Sequence, residues 1–214
     1  MSVSAPQSGT DVSPRRGEIA FLLHALRSQT RIGAIAPTSP SVARRMARLI
    51  PTGPDRIVVE LGAGTGAISA AIGPRLGPGS RHIAVEREPE LLQALRRKAP
   101  WAEQVLGDAQ DLSNRLTDLG VPQADIVLSS LPWANFDTDL QQRILDQVIE
   151  SLAPNGLFAA IAYRPTRMTH GSRAFRSALR ASFEHLSISS TLWTNLPPAR
   201  LYVCHAPTSQ RIKP

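Results

Sequence analysis

Only one cysteine, Cys204, occurs among the 214 residues. A lone thiol excludes an internal disulfide and a cysteine-based metal cluster, so neither a metal nor a disulfide partner is expected. No apolar run approaches the roughly 18 residues that a bilayer-spanning helix needs. Residues 1–14 are polar and rich in Ser and Pro; they lack the basic start and apolar block of a signal peptide and read as a flexible tail. Lysine is almost absent: of the 24 basic residues only Lys98 and Lys213 are not Arg. These absences leave a cytoplasmic protein as the simple expectation, with peripheral attachment at the inner membrane face as an open alternative. The 42% hydrophobic content is enough for a full core in a chain of single-domain size.

The net charge of +7 is unevenly spread. Residues 1–50 carry seven Arg and two acids, residues 51–163 nine basic and fourteen acidic groups, and residues 164–214 eight basic groups and one acid. Coding bias explains Arg in place of Lys but not this segregation. Two basic ends around an acidic middle point to an anionic partner: a membrane face, phosphate or nucleic acid.

In residues 15–27, Ile19, Leu22, Leu23 and Leu26 recur at helical spacing with Arg16 and Arg27 off that face, which predicts an amphipathic helix. It suits a membrane interface or packing on the domain. Ser39-Pro40 reads as a cap and first turn. The helix after it turns Val42, Met46, Leu49 and Ile50 inward, and residues 15–50 together read as a helical cap on a domain spanning 51–214. From residue 55 strands alternate with helices. The strands are 56–61, 82–86, 103–106, 125–130 and 157–163; the helices are 67–75, 89–98, 109–119, 138–152 and 172–182. Two last strands, 185–193 and 200–205, are joined by too few residues for a helix and so run antiparallel to each other. The expected fold is α/β and Rossmann-like: a mostly parallel seven-stranded sheet, helices on both faces and a terminal antiparallel hairpin.

Gly62, Gly64 and Gly66 follow a buried strand and open a helix, a pattern that lets backbone approach a ligand closely. The same spacing fits a dinucleotide. Glu60, two residues earlier, would oppose a pyrophosphate but can face a cationic amino acid group. Glu86, at the end of the next strand, can accept ribose hydroxyls, and Asp108, in Gly107-Asp108-Ala109, can accept from an adenine amino group. The bland alternatives are a surface acid for Glu60 and a helix cap for Asp108. Together the Glu60–Gly66 segment with Ala63, the Glu86 strand end and the Asp108-Ala109 turn resemble the motifs of class I methyltransferases, which implies S-adenosylmethionine as cofactor.

Open parallel sheets place chemistry at the carboxyl ends of their strands. There Ser130-Leu131-Pro132-Trp133 resembles the Asn-Leu-Pro-Tyr loop of enzymes that methylate amino nitrogens. The resemblance implies that Ser130 helps to orient the nitrogen and contacts the cofactor, while Trp133 offers an aromatic face to the forming cation, worth about 0.5–2 kcal/mol. The alternative is a strand-end turn with Trp133 in the core. A wider resemblance covers nearly the whole chain. Arg31–Ser39, Ser130–Pro132, Ala162-Tyr163 and above all Trp193-Thr194-Asn195-Leu196-Pro197-Pro198-Ala199-Arg200 are similar to bacterial phospholipid N-methyltransferases. That family resembles ribosomal RNA adenine dimethylases in its core; those carry an additional C-terminal helical domain for RNA, which is not expected in this chain because its sequence stops after the final strand. The resemblance implies methylation of phosphatidylethanolamine-type lipids, with Trp133, Tyr163 and Ser130 catalytic and with Leu131, Pro132, Arg164, Asn195 and Arg200 also at the substrate. An anionic membrane or phospholipid is the expected partner, RNA a further one. Methylation of a small-molecule amine, of RNA adenine, or nucleotide binding without catalysis stay open beside this reading.

Overall fold

The computed structural model describes residues 38–121 and 123–208. The expected tail 1–14, the amphipathic helix 15–27 and Arg31–Pro37 lie outside them.

Seven strands among the described residues form one sheet: β1 (Ile57–Leu61), β2 (Arg81–Glu86), β3 (Glu103–Leu106), β4 (Ala124–Ser129), β5 (Leu152–Tyr163), β6 (Phe183–Ile188) and β7 (Ala199–Pro207). Their order is β3-β2-β1-β4-β5-β7-β6. All pairings are parallel except those of β7, which runs antiparallel to both β5 and β6. The expected α/β sheet with its terminal antiparallel hairpin is therefore present. The β-branched run Ile57-Val58-Val59 in β1 suits a strand buried on both faces.

Among the described residues six α-helices cover the sheet: α1 (Pro40–Ala47), α2 (Ser69–Ile72), α3 (Pro89–Lys98), α4 (Leu112–Asp118), α5 (Thr138–Ser151) and α6 (His170–Ser182). Three start on side-chain caps that accept from a backbone N–H two or three residues inside: Ser39 from Val42, Asp137 from Leu140 and Thr169 from Ser172. The sheet's period of two sends side chains to opposite faces. Val59 and Leu61 pack with Leu112, Leu116, Leu145, Val148 and Phe175 under α4–α6. Val58 points the other way, into a core with Met46 and Ile50 of the α1 region and Ile68 and Ile72 at α2. Thus α1, which the sequence groups with residues 15–50, is part of this second core.

Several boundaries differ from the expected ones, β5 starting at Leu152 rather than residue 157, and two of the differences have identifiable reasons. Helix α2 stops at Ile72 and tightens into a 3₁₀ turn, Gly73–Arg75, where Pro74 supplies no N–H. Strand β6 ends at Ile188 rather than residue 193. Leu192 and Trp193 extend the apolar pattern, yet Leu192 makes only an isolated bridge to Ala199 and Trp193 is 67% exposed. What positions the site is register. Leu61 lies beside Val85 and Ser129, Ser129 beside Ala160, and Tyr163 beside Ala199, so the ends of β1, β2, β4 and β5 and the start of β7 share one edge.

Candidate active site

The turn after β1 carries three glycines at positive φ: Gly62 at +74°, Gly64 at +55° and Gly66 at +78°. Side-chain-bearing residues avoid that region. At Gly62 space matters too, since a Cβ would stand 2.9 Å from Leu131 Cδ2. Beside Gly64 the nearest atom to a Cβ would be the Gly62 carbonyl at 3.9 Å, so the turn leaves an open cradle there. The turn is anchored on both sides. Gly62 N–H and Ala63 N–H donate to Val85 O of β2 at 2.9 and 3.2 Å. Ser130 Oγ donates to Gly62 O at 2.6 Å, and Ser130 N–H to Leu61 O at 3.0 Å.

Glu86 is buried at the end of β2. Its Oε2 accepts from Gly64 N–H at 2.7 Å and its Oε1 from the Arg87 and Glu88 amides at 2.9 and 3.0 Å. Three amides thus fix the carboxylate beside the open cradle, and Oε2 retains a lone pair for a hydroxyl. Asp108 caps the turn after β3, accepting from Gln110 N–H at 2.9 Å, as the simpler of its two expected roles required. Its neighbour Ala109 is buried in the core.

Glu60 is not a surface acid: it is fully buried. Its Oε2 accepts from Ser69 Oγ at 2.6 Å and contacts His82 Nε2 at 3.0 Å. Its Oε1 and His82 Nδ1 have no partner. A buried carboxylate oxygen without a donor is costly, and it is the kind of acceptor that an ammonium group would satisfy. Neither Ser69 nor His82 is singled out by the sequence. They are distant in the chain and converge only because α2 and β2 flank β1.

The Ser130–Trp133 loop behaves differently from its expected role. Trp133 is 2% exposed. Its ring stacks on Phe175 at 4.2 Å between centroids and meets Phe158 and Phe136 edge-on. Its Nε1–H donates to Ser129 Oγ at 3.0 Å. The expected open aromatic face is therefore replaced by a core tryptophan, because α6 brings Phe175 over the ring. Leu131 packs beside Gly62, and the carbonyls of Leu131 and Pro132 accept from the amides of Trp133 and Asn135, both at 2.9 Å. Buried Gln141 holds this turn: its Nε2 donates to Trp133 O at 2.6 Å and Gly171 O at 2.9 Å. A polar residue in the apolar stripe Ile144, Leu145, Val148 was the available sequence signal for it.

Beyond β5, Tyr163 is partly buried against the α1 core and hydrogen-bonded with the Thr38 side chain. Burial raises its phenol above the ordinary value, the Thr38 contact offsetting part of the rise, so it is a neutral group at neutral pH. Asn195 does not reach for a substrate. It is 2% exposed; its Oδ1 accepts from Ser39 N–H at 2.9 Å and its Nδ2 donates to Pro197 O at 2.8 Å. Arg200 donates through Nε to Thr191 Oγ1 at 3.0 Å. Arg164 is exposed and lies over the Trp193 ring, 4.8 Å from its centroid. The site therefore gathers Glu60, Glu86, the glycine turn and Ser130–Pro132 at one edge, with Tyr163 and Arg164 farther along it, whereas Trp133 and Asn195 are buried. Among the described residues no group of His, Cys, Asp and Glu is arranged to hold a metal.

Residues 58–156 match the model of a methyltransferase domain. The ornithine lipid N-methyltransferase of Singulisphaera acidiphila is 38% identical over 187 residues, which are 86% of this chain and 93% of that protein. The chain belongs to the S-adenosylmethionine-dependent methyltransferases. Ribosomal RNA small subunit methyltransferase A of Thermobifida fusca is 31% identical to this methyltransferase over a shorter stretch, 50% of this chain and 38% of its own. Among solved structures, TrmN from Thermus thermophilus superposes with a TM-score of 0.61 at 21% identity, covering 78% of this chain and 48% of that one. An O-methyltransferase from Bacillus cereus, solved in complex with SAH, superposes with a TM-score of 0.63 at 13% identity, covering 91% and 93%. These two likenesses concern the fold. The methyltransferase's own residues fit the cofactor: the unpartnered Glu60 oxygen for its ammonium, the cradle at Gly64 for close approach, and anchored Glu86 for its ribose.

Proposed function

We propose that this methyltransferase adds methyl groups to the primary amine of a membrane aminolipid, of the phosphatidylethanolamine or ornithine lipid kind. The observation that carries the reading is the 38% identity to an ornithine lipid N-methyltransferase across almost the full length of both chains. The basic segment from Arg164 onward, with Glu184 its sole acid, supports it by suiting anionic lipid.

In this reading Glu60, the 62–66 turn and Glu86 hold S-adenosylmethionine, which when bound supplies the methyl group. The protein's work is orientation. The Leu131 and Pro132 carbonyls each already accept an amide within their own turn, and the Ser130 carbonyl beside them is the acceptor in this reading for an N–H of the incoming amine. The amine must arrive neutral, its proton having gone to water, because an ammonium has no lone pair. Tyr163 does not act as a base near pH 7, since its phenol is held protonated; it donates or accepts a hydrogen bond. Arg164 and Arg200 face the lipid phosphate or carboxylate as fork-shaped donors.

The test is transfer of label from methyl-labelled S-adenosylmethionine to vesicles of phosphatidylethanolamine, vesicles containing ornithine lipid, total RNA, and a panel of small amines, each separately. Label in either lipid supports the reading and names the headgroup. Label only in RNA or only in soluble amines overturns it.

A further inference from the structure

Three of the most exposed large apolar side chains lie on two adjoining connections: Trp193 (67% exposed), Leu196 (79%) and Met168 (66%). Met168 ends the 3₁₀ turn Arg164–Met168 after β5, while Trp193 and Leu196 lie on the connection from β6 to β7. The two connections are stitched into one rim. Arg164 N–H donates to Pro198 O at 2.7 Å, Tyr163 pairs with Ala199, and the Arg164 guanidinium covers one face of Trp193. Register puts this rim on the edge that also carries the glycine turn and Ser130–Pro132.

The loop that presents these side chains is held. Asn195 ties it to Ser39 N–H at the start of α1 and to its own Pro197 carbonyl. This gives the Asn-Leu-Pro-Pro-Ala-Arg motif a physical meaning: the buried Asn195 turns its neighbours Trp193 and Leu196 outward. Large apolar groups kept exposed by a dedicated latch mark a contact surface. The charge carried by the rim's own segments is one-sided: residues 164–168 and 189–200 hold Arg164, Arg167 and Arg200 and no acid.

An indole at an apolar–polar boundary, aliphatic side chains beside it and arginines behind is the composition of a membrane-interface contact. Nucleic acid suits it less well. Leu196 and Met168 offer no ring to stack on a base, and Arg164 already occupies one face of Trp193. Among the described residues no helix is long and apolar enough to cross a membrane.

We propose that Trp193, Leu196 and Met168 insert into the headgroup–acyl boundary of an anionic bilayer while Arg164 and Arg167 stay with its phosphates, which turns the catalytic edge of the sheet toward the lipid. This names the docking surface for the lipid reading above and rests on it for its purpose, but its test does not require turnover.

The test uses the full chain carrying Trp101→Phe, so that Trp193 is the exposed indole and buried Trp133 a constant background. The probes are vesicles of phosphatidylglycerol with phosphatidylcholine, vesicles of phosphatidylcholine alone, and total RNA. The expected result is a blue shift of the emission and its quenching by brominated acyl chains in the anionic vesicles, both absent in Trp193→Phe. The double variant Trp193→Ser, Leu196→Ser should partition onto anionic vesicles about tenfold more weakly, with cofactor affinity unchanged. Vesicle binding with unshifted, unquenched Trp193, no binding to anionic vesicles, or a response to RNA alone overturns the proposal. Insertion without methylation of any lipid sinks the functional reading and leaves this surface standing; lipid methylation with a silent Trp193 does the reverse.

Discussion

The Ser130 hydroxyl donates to the Gly62 carbonyl at 2.6 Å, joining the loop after β4 to the glycine turn after β1. It is a short bond between two segments that must both be in place before a cofactor and an amine can meet. Removing it in Ser130→Ala leaves Gly62 O without that donor and frees the turn to shift. A hydrogen bond of this sort is worth about 0.5–1.5 kcal/mol, so the Kd for S-adenosylmethionine should rise roughly 2- to 10-fold. Titration calorimetry checks this. Unchanged affinity with reduced turnover would assign Ser130 to the amine alone.

Glu60 makes a stronger demand. Its Oε2 is shared by Ser69 and His82, and its Oε1 is buried without a partner. Glu60→Gln keeps the volume and removes the charge. If the free oxygen receives the cofactor's ammonium, the loss is that of a charge-assisted bond, about 1.5–3 kcal/mol, or roughly 10- to 100-fold in Kd. Both S-adenosylmethionine and its demethylated product carry that ammonium, so both should weaken alike. A loss confined to thermal stability, with cofactor affinity intact, would make Glu60 a purely structural acid.

These two residues show what was legible in the sequence. An acid two residues before a glycine turn is a local pattern, and so are the alternating strands and helices; the parallel sheet and the cofactor edge followed from them. The partners of Glu60 were not legible, because Ser69 and His82 reach it from a separate helix and strand. The burial of Trp133 was hidden for the same reason. The Leu-Pro-Trp spacing says that an aromatic follows β4, but only the arrival of Phe175 on α6 decides that its ring is covered. Trp193 is the converse: next to Leu192 it reads as the end of a strand, and only the Asn195 latch to Ser39 shows why it is turned to solvent.

Cys204 lies in the core on β7, and burial pushes its thiol up to about 12. At pH 8 it should not react with a thiol reagent in the folded protein, and should react once in denaturant. The pH dependence has a definite sign. The folded thiol stays protonated well above pH 9, where the unfolded thiol ionises, so its contribution to stability is complete below about pH 9 and is lost as pH rises toward 12. Urea midpoints should fall between pH 8 and pH 10, and Cys204→Ala should show a shallower fall. Equal slopes in the two proteins would contradict the assignment.

Trp133 offers the sharpest separation of packing from chemistry. Its stack on Phe175, its edge contacts with Phe136 and Phe158 and its Nε1–H bond to Ser129 are all internal. Trp133→Ala should therefore destabilise the protein by about 3–5 kcal/mol, as large-to-small core changes do. Any loss of activity in that variant would be uninformative, because the turn holding Ser130 and Leu131 would collapse with it. Trp133→Phe is the informative change. It keeps a ring against Phe175 and gives up the hydrogen bond, at a cost of about 1–2 kcal/mol. If Trp133 is a core residue, this variant should melt earlier yet keep kcat within about threefold on whichever amine the protein methylates. If instead the ring stabilises the developing cation, the weaker π-face of phenylalanine should lower kcat with KM and cofactor affinity unchanged. Melting curves and steady-state kinetics on the same preparation distinguish the two.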